Sequence, residues 1–404
     1  MTQCATNRRR ALVLAPFLSL DGPSRPRAVA AALAELMPVD VVTADFDHGR
    51  KARREPLQNK IFAQIVYLKA PSYSTNVGVA RLISHIVFSV RASVYFLRNR
   101  DKYDTLYATA PLNLLAWIAF SRAGHAKKIL DVVDVWPDAL PFPRLTRRAF
   151  QPVFAAWKWL FSSSARKADI VISGSHVFLE EAKRYARKEA HTAHIYLSHD
   201  SLESRVPKQS VFTLAYVGNL GRLYDFETLL DVLSEGDMRE KMQLFIVGAG
   251  DRRQWLLHEL THREIRHRFY GVVHDAGRLS SILCGCHAGF NGYARTTASF
   301  SYKAATYLAA GLPLINSMHG DLHGLVAAYD LGVNYQAGDR RQLREALFRL
   351  LRRTPGEVEA NCKNFFAEHL ETGKVHEEMR RYLARSLGFS SARICDCAED
   401  FARV

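Results

Sequence analysis

The sequence predicts an α/β protein made of two doubly wound domains, and three observations carry that expectation. The chain has 404 residues, too many for one typical domain. Short apolar, β-rich runs alternate with helical stretches, the pattern of a parallel sheet covered on both faces. That alternation is interrupted by the polar stretch 201–210, which contains Pro207, and then begins again.

In the first half the expected strands are 11–15 (Ala-Leu-Val-Leu-Ala), 39–43, 65–67, 105–108, 128–132 and 170–173. Residues 25–37, 76–97, 111–123 and 180–188 read as helices. In the second half, 214–218, 243–247, 269–271, 288–290, 314–316 and 333–335 read as strands. Helices are expected at 226–233, 254–263, 276–284, 302–310, 320–329 and 341–352. The domains are placed at 1–203 and 204–370, and 371–404 is read as a last helix, about 374–387, followed by a tail. Ligands of such sheets sit outside the carboxyl ends of the strands.

Composition narrows the class. Hydrophobic content of 48% with 24% charged residues is globular rather than disordered. The six cysteines lack the spacing of zinc ligands and read as free thiols in a reducing compartment. No metal is expected, since the histidines also lack metal-ligand spacing. Arg8-Arg9-Arg10 and the following apolar run imitate a secretory signal, but Pro16 interrupts the run and the localisation expected is cytoplasmic. No stretch has the ~18 uncharged apolar residues of a spanning helix. Fifty-five Lys and Arg against 40 Asp and Glu give +15. Basic charge of this kind serves nucleic acid, anionic lipid or phosphorylated ligands, and no nucleic-acid module is present. Residues 81–100 and 147–167 mix apolar, aromatic and basic side chains, which suits either a helix in a membrane interface or a buried domain helix with charged ends.

The segment 301–317 (Ser-Tyr-Lys-Ala-Ala-Thr-Tyr-Leu-Ala-Ala-Gly-Leu-Pro-Leu-Ile-Asn-Ser) carries most of the chemistry. Gly311 and Pro313 stop a small-residue helix before a short strand. Lys303 at the mouth of that helix can reach an anion held near the helix N-terminus, or it is simply solvated. Gly248-Ala249-Gly250 lacks the third glycine of a dinucleotide fingerprint and fits better as a tight turn.

The segment 301–317 resembles the "K…YLAAGLPVI" signature of GT-B glycosyltransferases, especially family 4. Tyr216-Val217-Gly218-Asn219-Leu220-Gly221-Arg222 resembles the glycine-rich loop that opens the donor domain of that family. Leu244–Gly250 resembles its second strand-to-loop element, and Asp131–Asp138 resembles the "RDLWPES" segment of bacterial enzymes that build surface polysaccharides. The resemblance implies a GT-B fold, two Rossmann-like domains facing a cleft, with 1–203 binding acceptor, 204–370 binding donor, and the last helix crossing back to the first domain. It implies a retaining, metal-independent transfer of a sugar from a nucleotide diphosphate, with UDP the nucleotide expected, to a lipid-linked saccharide, with no cofactor beyond the nucleotide-sugar co-substrate. Such an enzyme would work in the cytoplasm, at the inner face of the membrane where an anionic surface is a candidate partner.

On the donor side the resemblance assigns Gly218, Gly221, Arg222, Gly248, Gly250, Gly271, Val272, Asn291, Tyr293, Lys303 and Thr306. Arg222 and Lys303 would meet the charge on the leaving diphosphate, and the glycines would admit its backbone contacts. Two glutamates are expected of the family at 298 and 306, where this chain has Ala298 and Thr306. On the acceptor side it assigns Gly22, Arg25 and Trp136, with Asp134 and Asp138 as catalytic carboxylates; Asp134 is equally a helix N-cap or turn residue. Two alternatives share the fold: a nucleotide-sugar epimerase, which needs acid/base carboxylates or histidines in the donor cleft, and a non-catalytic binding or scaffold protein, which the missing glutamates motivate.

Overall fold

The computed structural model describes residues 9–19, 24–55, 59–74, 78–136, 148, 150–295, 298–353 and 356–389. The chain divides into two compact units. The first is Met1–Tyr196 with Val375–Val404 and the second is Leu197–Lys374. The change from one to the other thus falls at Leu197, ahead of the polar stretch 201–210, and again within the last helix.

The first unit contains β1 (Ala11–Leu14), α1 (Arg25–Ala34), β2 (Val39–Ala44), β3 (Phe46–Asp47), β4 (Ala52–Arg53), β5 (Gln64–Leu68) and α2 (Val79–Asn99). It continues with β6 (Thr105–Ala110), α3 (Asn113–Arg122), β7 (Lys127–Val132), α4 (Gln151–Lys167), β8 (Ile170–Ser173), α5 (His176–Lys183) and β9 (His191–His194). Seven parallel strands form one sheet in the order β5-β2-β1-β6-β7-β8-β9. The order reverses between β1 and β6, which is where such a sheet opens a crevice.

Alternation along β1 explains why both faces need cover. Leu12 and Leu14 join Phe88 and Phe96 of α2, Leu115 of α3 and Phe161 of α4 in one core. Ala11 and Val13 join Val29 and Leu33 of α1 in the other, together with Val375, Met379 and Leu383 near the chain's end. Each fully buried leucine or phenylalanine contributes roughly 1.5–3 kcal/mol.

The second unit holds β10 (Phe212–Asn219), α6 (Phe226–Leu233), α7 (Gly236–Lys241), β11 (Met242–Ala249), α8 (Arg253–His262), β12 (His267–Gly271), α9 (Ala276–Cys284) and β13 (Ala288–Asn291). Then follow α10 (Tyr302–Ala309), β14 (Leu314–Asn316), α11 (Asp321–Ala328), β15 (Gly332–Asn334), α12 (Arg340–Arg352) and α13 (Glu357–His369). Its six strands are parallel in the order β12-β11-β10-β13-β14-β15. Here the reversal lies between β10 and β13. The last helix, α14 (Thr372–Ser386), carries Val375, Met379 and Leu383 into the core of the first unit.

Several elements depart from the sequence expectation. The helix expected at 180–188 starts at His176, because the Ser175 side chain accepts from Phe178 N and caps it there. Strand β9 was not expected: His-Thr-Ala-His has no apolar run, and pairing with β8 alone makes it a strand. Helices α7 and α13 were also missed. The run Val79–Lys102 is long and apolar enough to cross a membrane by length and composition. An uncharged run was sought in the sequence, and Arg81 and Arg91 interrupt this one. Its inner residues Phe88, Ala92 and Phe96 belong to the first unit's core.

Candidate functional site

The carboxyl ends of β10 and β11 are built around paired glycines. Gly218 and Gly248 face each other in register, both at positive φ (131° and 139°). A Cβ on Gly248 would stand 1.9 Å from the Gly218 carbonyl oxygen, and one on Gly250 would stand 2.3 Å from the Leu220 oxygen. Only glycine permits the two loops to approach this closely. Gly221 sits in the same turn, where a Cβ would meet the Asn219 side chain at 2.9 Å. Arg222 follows it and is exposed.

Lys303 is the second residue of α10 and is only 8% exposed. Its Nζ lies 3.6 Å from the ring centroid of Tyr224, 4.0 Å from that of Tyr216 and 5.1 Å from that of Tyr293. Among the described residues it has no hydrogen-bond partner. A Cβ on Gly218 would be 3.4 Å from its Cε, so the glycine borders the ammonium. Burial pushes the Lys303 pKa well below the ordinary 10.5. Burial also holds the phenols of Tyr216, Tyr224 and Tyr293 above 10.0, so their rings are neutral. Three ring faces offset part of the cost of burying a cation. An ammonium without an oxygen to bond remains costly, and an anion beside it would remove that cost.

Polar side chains hold the surrounding loops. Asn291, Asn316 and Asn334 stand abreast at the ends of β13, β14 and β15. Asn291 Nδ2 donates to Asn316 Oδ1 at 2.8 Å, and Asn316 Nδ2 to Asn334 Oδ1 at 2.7 Å. Ser301, the N-cap of α10, donates to Asn291 Oδ1 at 3.3 Å and accepts from Ala304 N at 3.2 Å. Ser317 Oγ accepts from Tyr293 N at 2.7 Å. Asn291 is therefore fully buried in a network that aims Lys303 and Tyr293, whereas direct contact with a donor sugar was expected of it.

Thr306, at the position of the family's second glutamate, is spoken for as well. Its hydroxyl lies 2.9 Å from the Tyr302 carbonyl and 3.0 Å from His199 Nε2. His199 is half-buried, its Nδ1 lies 2.7 Å from the Asp200 carbonyl oxygen, and burial lowers its pKa. Gly271 (φ 69°) and Val272, 55% exposed, end β12, two strands away from β10.

In the first unit, Gly22 and Asp138 lie outside the described residues. Arg25, expected to touch an acceptor, is 4% exposed and lies against Asp131, which is 0% exposed. Its Nε donates to both Asp131 oxygens at 2.8 and 2.9 Å, and its Nη1 donates to the Ile195 carbonyl at 2.6 Å. Tyr107 Oη adds a 2.7 Å bond to the same carboxylate. A guanidinium paired this way ties α1 to β7 and the segment after β9, a structural position rather than an open one for the residue expected to meet the acceptor. Asp134 accepts from Val135 N and from Trp136 Nε1, both at 2.9 Å. Burial raises its pKa, which those two bonds partly oppose. A carboxylate with a raised pKa is a better proton acceptor. Trp136 stacks on His85 with ring centroids 5.5 Å apart and planes 12° from parallel. Among the described residues no group of three or more His, Cys, Asp and Glu gathers as metal ligands would.

The structure thus brings Gly218, Gly248, Tyr293 and Lys303 together in the second unit, and Asp134 with Trp136 in the first. Sequence reasoning missed Tyr216 and Tyr224, which complete the cage, and His199. The tyrosines lay within or beside the glycine-rich segment 216–222, and an aromatic on each side of it was the available signal.

Comparison with known proteins matches residues 211–353 to the family described as glycosyl transferases group 1. No curated protein sequence matches the chain. Among solved structures, HepE from Anabaena, in complex with UDP and glucose, superposes with a TM-score of 0.66 at 14% identity, covering 93% of this chain and 100% of that one. Sucrose-phosphate synthase from Thermosynechococcus elongatus gives 0.68 at 17% identity, covering 94% and 99%. WaaG, a glycosyltransferase involved in lipopolysaccharide biosynthesis, gives 0.63 at 12%, covering 94% and 100%. These structures share the GT-B fold with this chain, and residues 211–353 of its second unit carry a glycosyl transferases group 1 domain.

Proposed function

We propose that the second unit binds a UDP-sugar and that the enzyme transfers the sugar, with retention and without a metal, to a lipid-linked saccharide held by the first unit. The observation that carries the donor reading is the buried Lys303 ammonium, unbonded beside Gly218 at the reversal point of the sheet. A diphosphate there would give Nζ oxygens to bond, and exposed Arg222, four residues beyond Gly218 in the chain, is assigned to the distal phosphate. HepE has been solved with UDP-glucose, which supports UDP as the nucleotide. Asp134 and Trp136 are the residues assigned to the acceptor hydroxyl and sugar ring. No single base is indispensable when the leaving phosphate itself takes the proton.

A thermal-shift screen with UDP, GDP, ADP and uridine tests the donor site, since a ligand of the native state stabilises it by RT ln(1 + [L]/Kd). UDP should stabilise the protein most. Lys303→Ala should weaken UDP about tenfold or more while leaving uridine nearly unchanged. Equal loss of both would remove the phosphate role. Release of UDP only when membrane lipid extract is supplied would separate transfer from epimerisation and from mere binding.

The surface-polysaccharide role brings a membrane into the reading. Ile83, Ile86, Val90, Val94 and Leu97 recur along the outer face of α2 and are all exposed, with exposed Arg91 and Arg98 beside them. Helix α3 packs against both α2 and α4, and α4 and the residue before it expose Phe150, Val153 and Trp159. An apolar stripe edged with arginine suits an anionic interface. Sedimentation with anionic vesicles but not with neutral ones is the expected result, and indifference to lipid charge would sink it.

A further inference from the structure

Seven side chains from five separate segments meet at the carboxyl edge of the first unit's sheet. Phe17 comes from the loop after β1, His48 and Lys51 from the turn between β3 and β4, Tyr73 from the stretch before α2, Arg81 and His85 from the first turns of α2, and Trp136 from beyond β7. Phe17 lies between two histidines, 4.9 Å from His48 and 5.3 Å from His85 by ring centroids. Arg81 lies 5.3 Å from the Trp136 ring centroid and 5.9 Å from that of Phe17, and Lys51 Nζ lies 4.8 Å from that of Tyr73.

The protonation pattern follows from the contacts. Lys51 Nζ, a donor only, lies 3.2 Å from His48 Nδ1. That nitrogen must therefore accept, and the imidazole is neutral. Burial and the two nearby cations push the His48 pKa down to about 3, and burial and Arg81 do the same for His85. Burial and then Arg81 bring Lys51 down to about 8. His85 is 3% exposed, and among the described residues its Nδ1 has no hydrogen-bond partner. Among the described residues two carboxylates face the cluster, and each has other partners. Asp47 accepts from Arg50 N at 2.8 Å and lies 3.8 Å from Arg54. Asp134 accepts from Val135 and Trp136, and burial disfavours its charge. Two desolvated cations held close to one another among aromatic rings, both still partly open to solvent, make a preorganised anion site beside a ring suited to a sugar.

We propose that the acceptor carries an anionic group, a phosphate or a carboxylate, next to the sugar that stacks at Trp136, and that Lys51 and Arg81 hold it. This rests on the reading of the first unit as the acceptor site. Neutral histidines supply hydrogen bonds without adding charge, and Phe17 and Trp136 exclude water around the anion. The anion comes either from a lipid carrier's diphosphate or from an acidic sugar.

The test uses the full chain saturated with UDP, so that the second unit's phosphate site is filled. Calorimetry then measures two matched pairs: geranyl diphosphate against geraniol, and methyl glucuronide against methyl glucoside. At least one anionic probe should bind about tenfold or more tightly than its neutral partner, and Arg81→Met and Lys51→Met should each erase most of that preference. Preference for the diphosphate alone assigns the anion to the carrier, and preference for the glucuronide alone assigns it to the sugar. Unchanged UDP stabilisation in both variants shows that they fold, and Lys51→Arg should keep the preference. Equal binding of charged and neutral probes overturns the proposal. So does a preference that survives in Arg81→Met and Lys51→Met. Efficient transfer to a neutral glycolipid would overturn it too, while leaving the transferase reading intact. Failure of transfer to every acceptor would instead strike that reading and leave the binding result standing.

Discussion

Each unit buries a cation near the carboxyl end of its sheet, and the two are treated in opposite ways. In the first unit Arg25 is enclosed by the fold itself, with Asp131 and the Ile195 carbonyl supplying oxygens. In the second, Lys303 lies against tyrosine faces and, among the described residues, has no hydrogen-bonded oxygen. A buried charge with its counter-charge built in is a structural tie. A buried charge surrounded by ring faces keeps its strongest interaction in reserve. Burial alone therefore does not separate structure from function here, and the chemical nature of the partners does.

Three substitutions would break or sharpen this contrast. Asp131→Ala should be the most damaging, because it leaves the Arg25 guanidinium buried without its carboxylate. A loss of about 3–5 kcal/mol in urea unfolding is expected, and a loss under 1 kcal/mol would mean that the pair is not a structural tie. Gly248→Ala should come next. Its Cβ would collide with the Gly218 backbone, and its φ of 139° is strained for any side chain. A cost of about 2–4 kcal/mol is expected, together with weakened UDP binding. A fully stable variant that still binds UDP would show that the two loops can part without consequence.

Lys303→Ala should change stability least, within about 1 kcal/mol, because the lost packing of the stem is offset by relief of a desolvated charge. The pH dependence carries the sign. The folded Lys303 pKa lies below the unfolded value, so the unfolded chain binds more protons between the two. The ligand-free protein should therefore gain stability as pH rises through that window, and Lys303→Ala should lose that gain. A bound diphosphate raises the same pKa, so UDP binding should take up protons in the window and weaken as pH rises. Calorimetry in buffers of different ionisation enthalpy measures that uptake, and its absence would place the phosphate away from Lys303.

Local pattern made the second unit unusually legible. All six of its strands and the glycine-rich turns are found where apolar runs and Gly/Pro punctuation put them, and the inner strands β10, β11, β13 and β14 are the mostly buried runs that a doubly covered parallel sheet needs. Lys303 was also legible, since a lysine entering a helix that ends in Gly-Leu-Pro is a local signal. The elements that were missed, strands β3, β4 and β9 and helices α7 and α13, are short or weakly periodic and depend on what they pack against.

What the sequence determined by itself is the succession of strands and helices, the two-unit plan and the residues at the carboxyl edges, because all of these follow from short-range pattern. What only the tertiary structure decided is how those residues are partnered. Arg25 meets Asp131 across 106 positions, and Thr306 meets His199 across 107. Lys303 finds Tyr216, Tyr224 and Tyr293 on three different elements. Such pairings are set by strand order and loop path, and no window of sequence contains them.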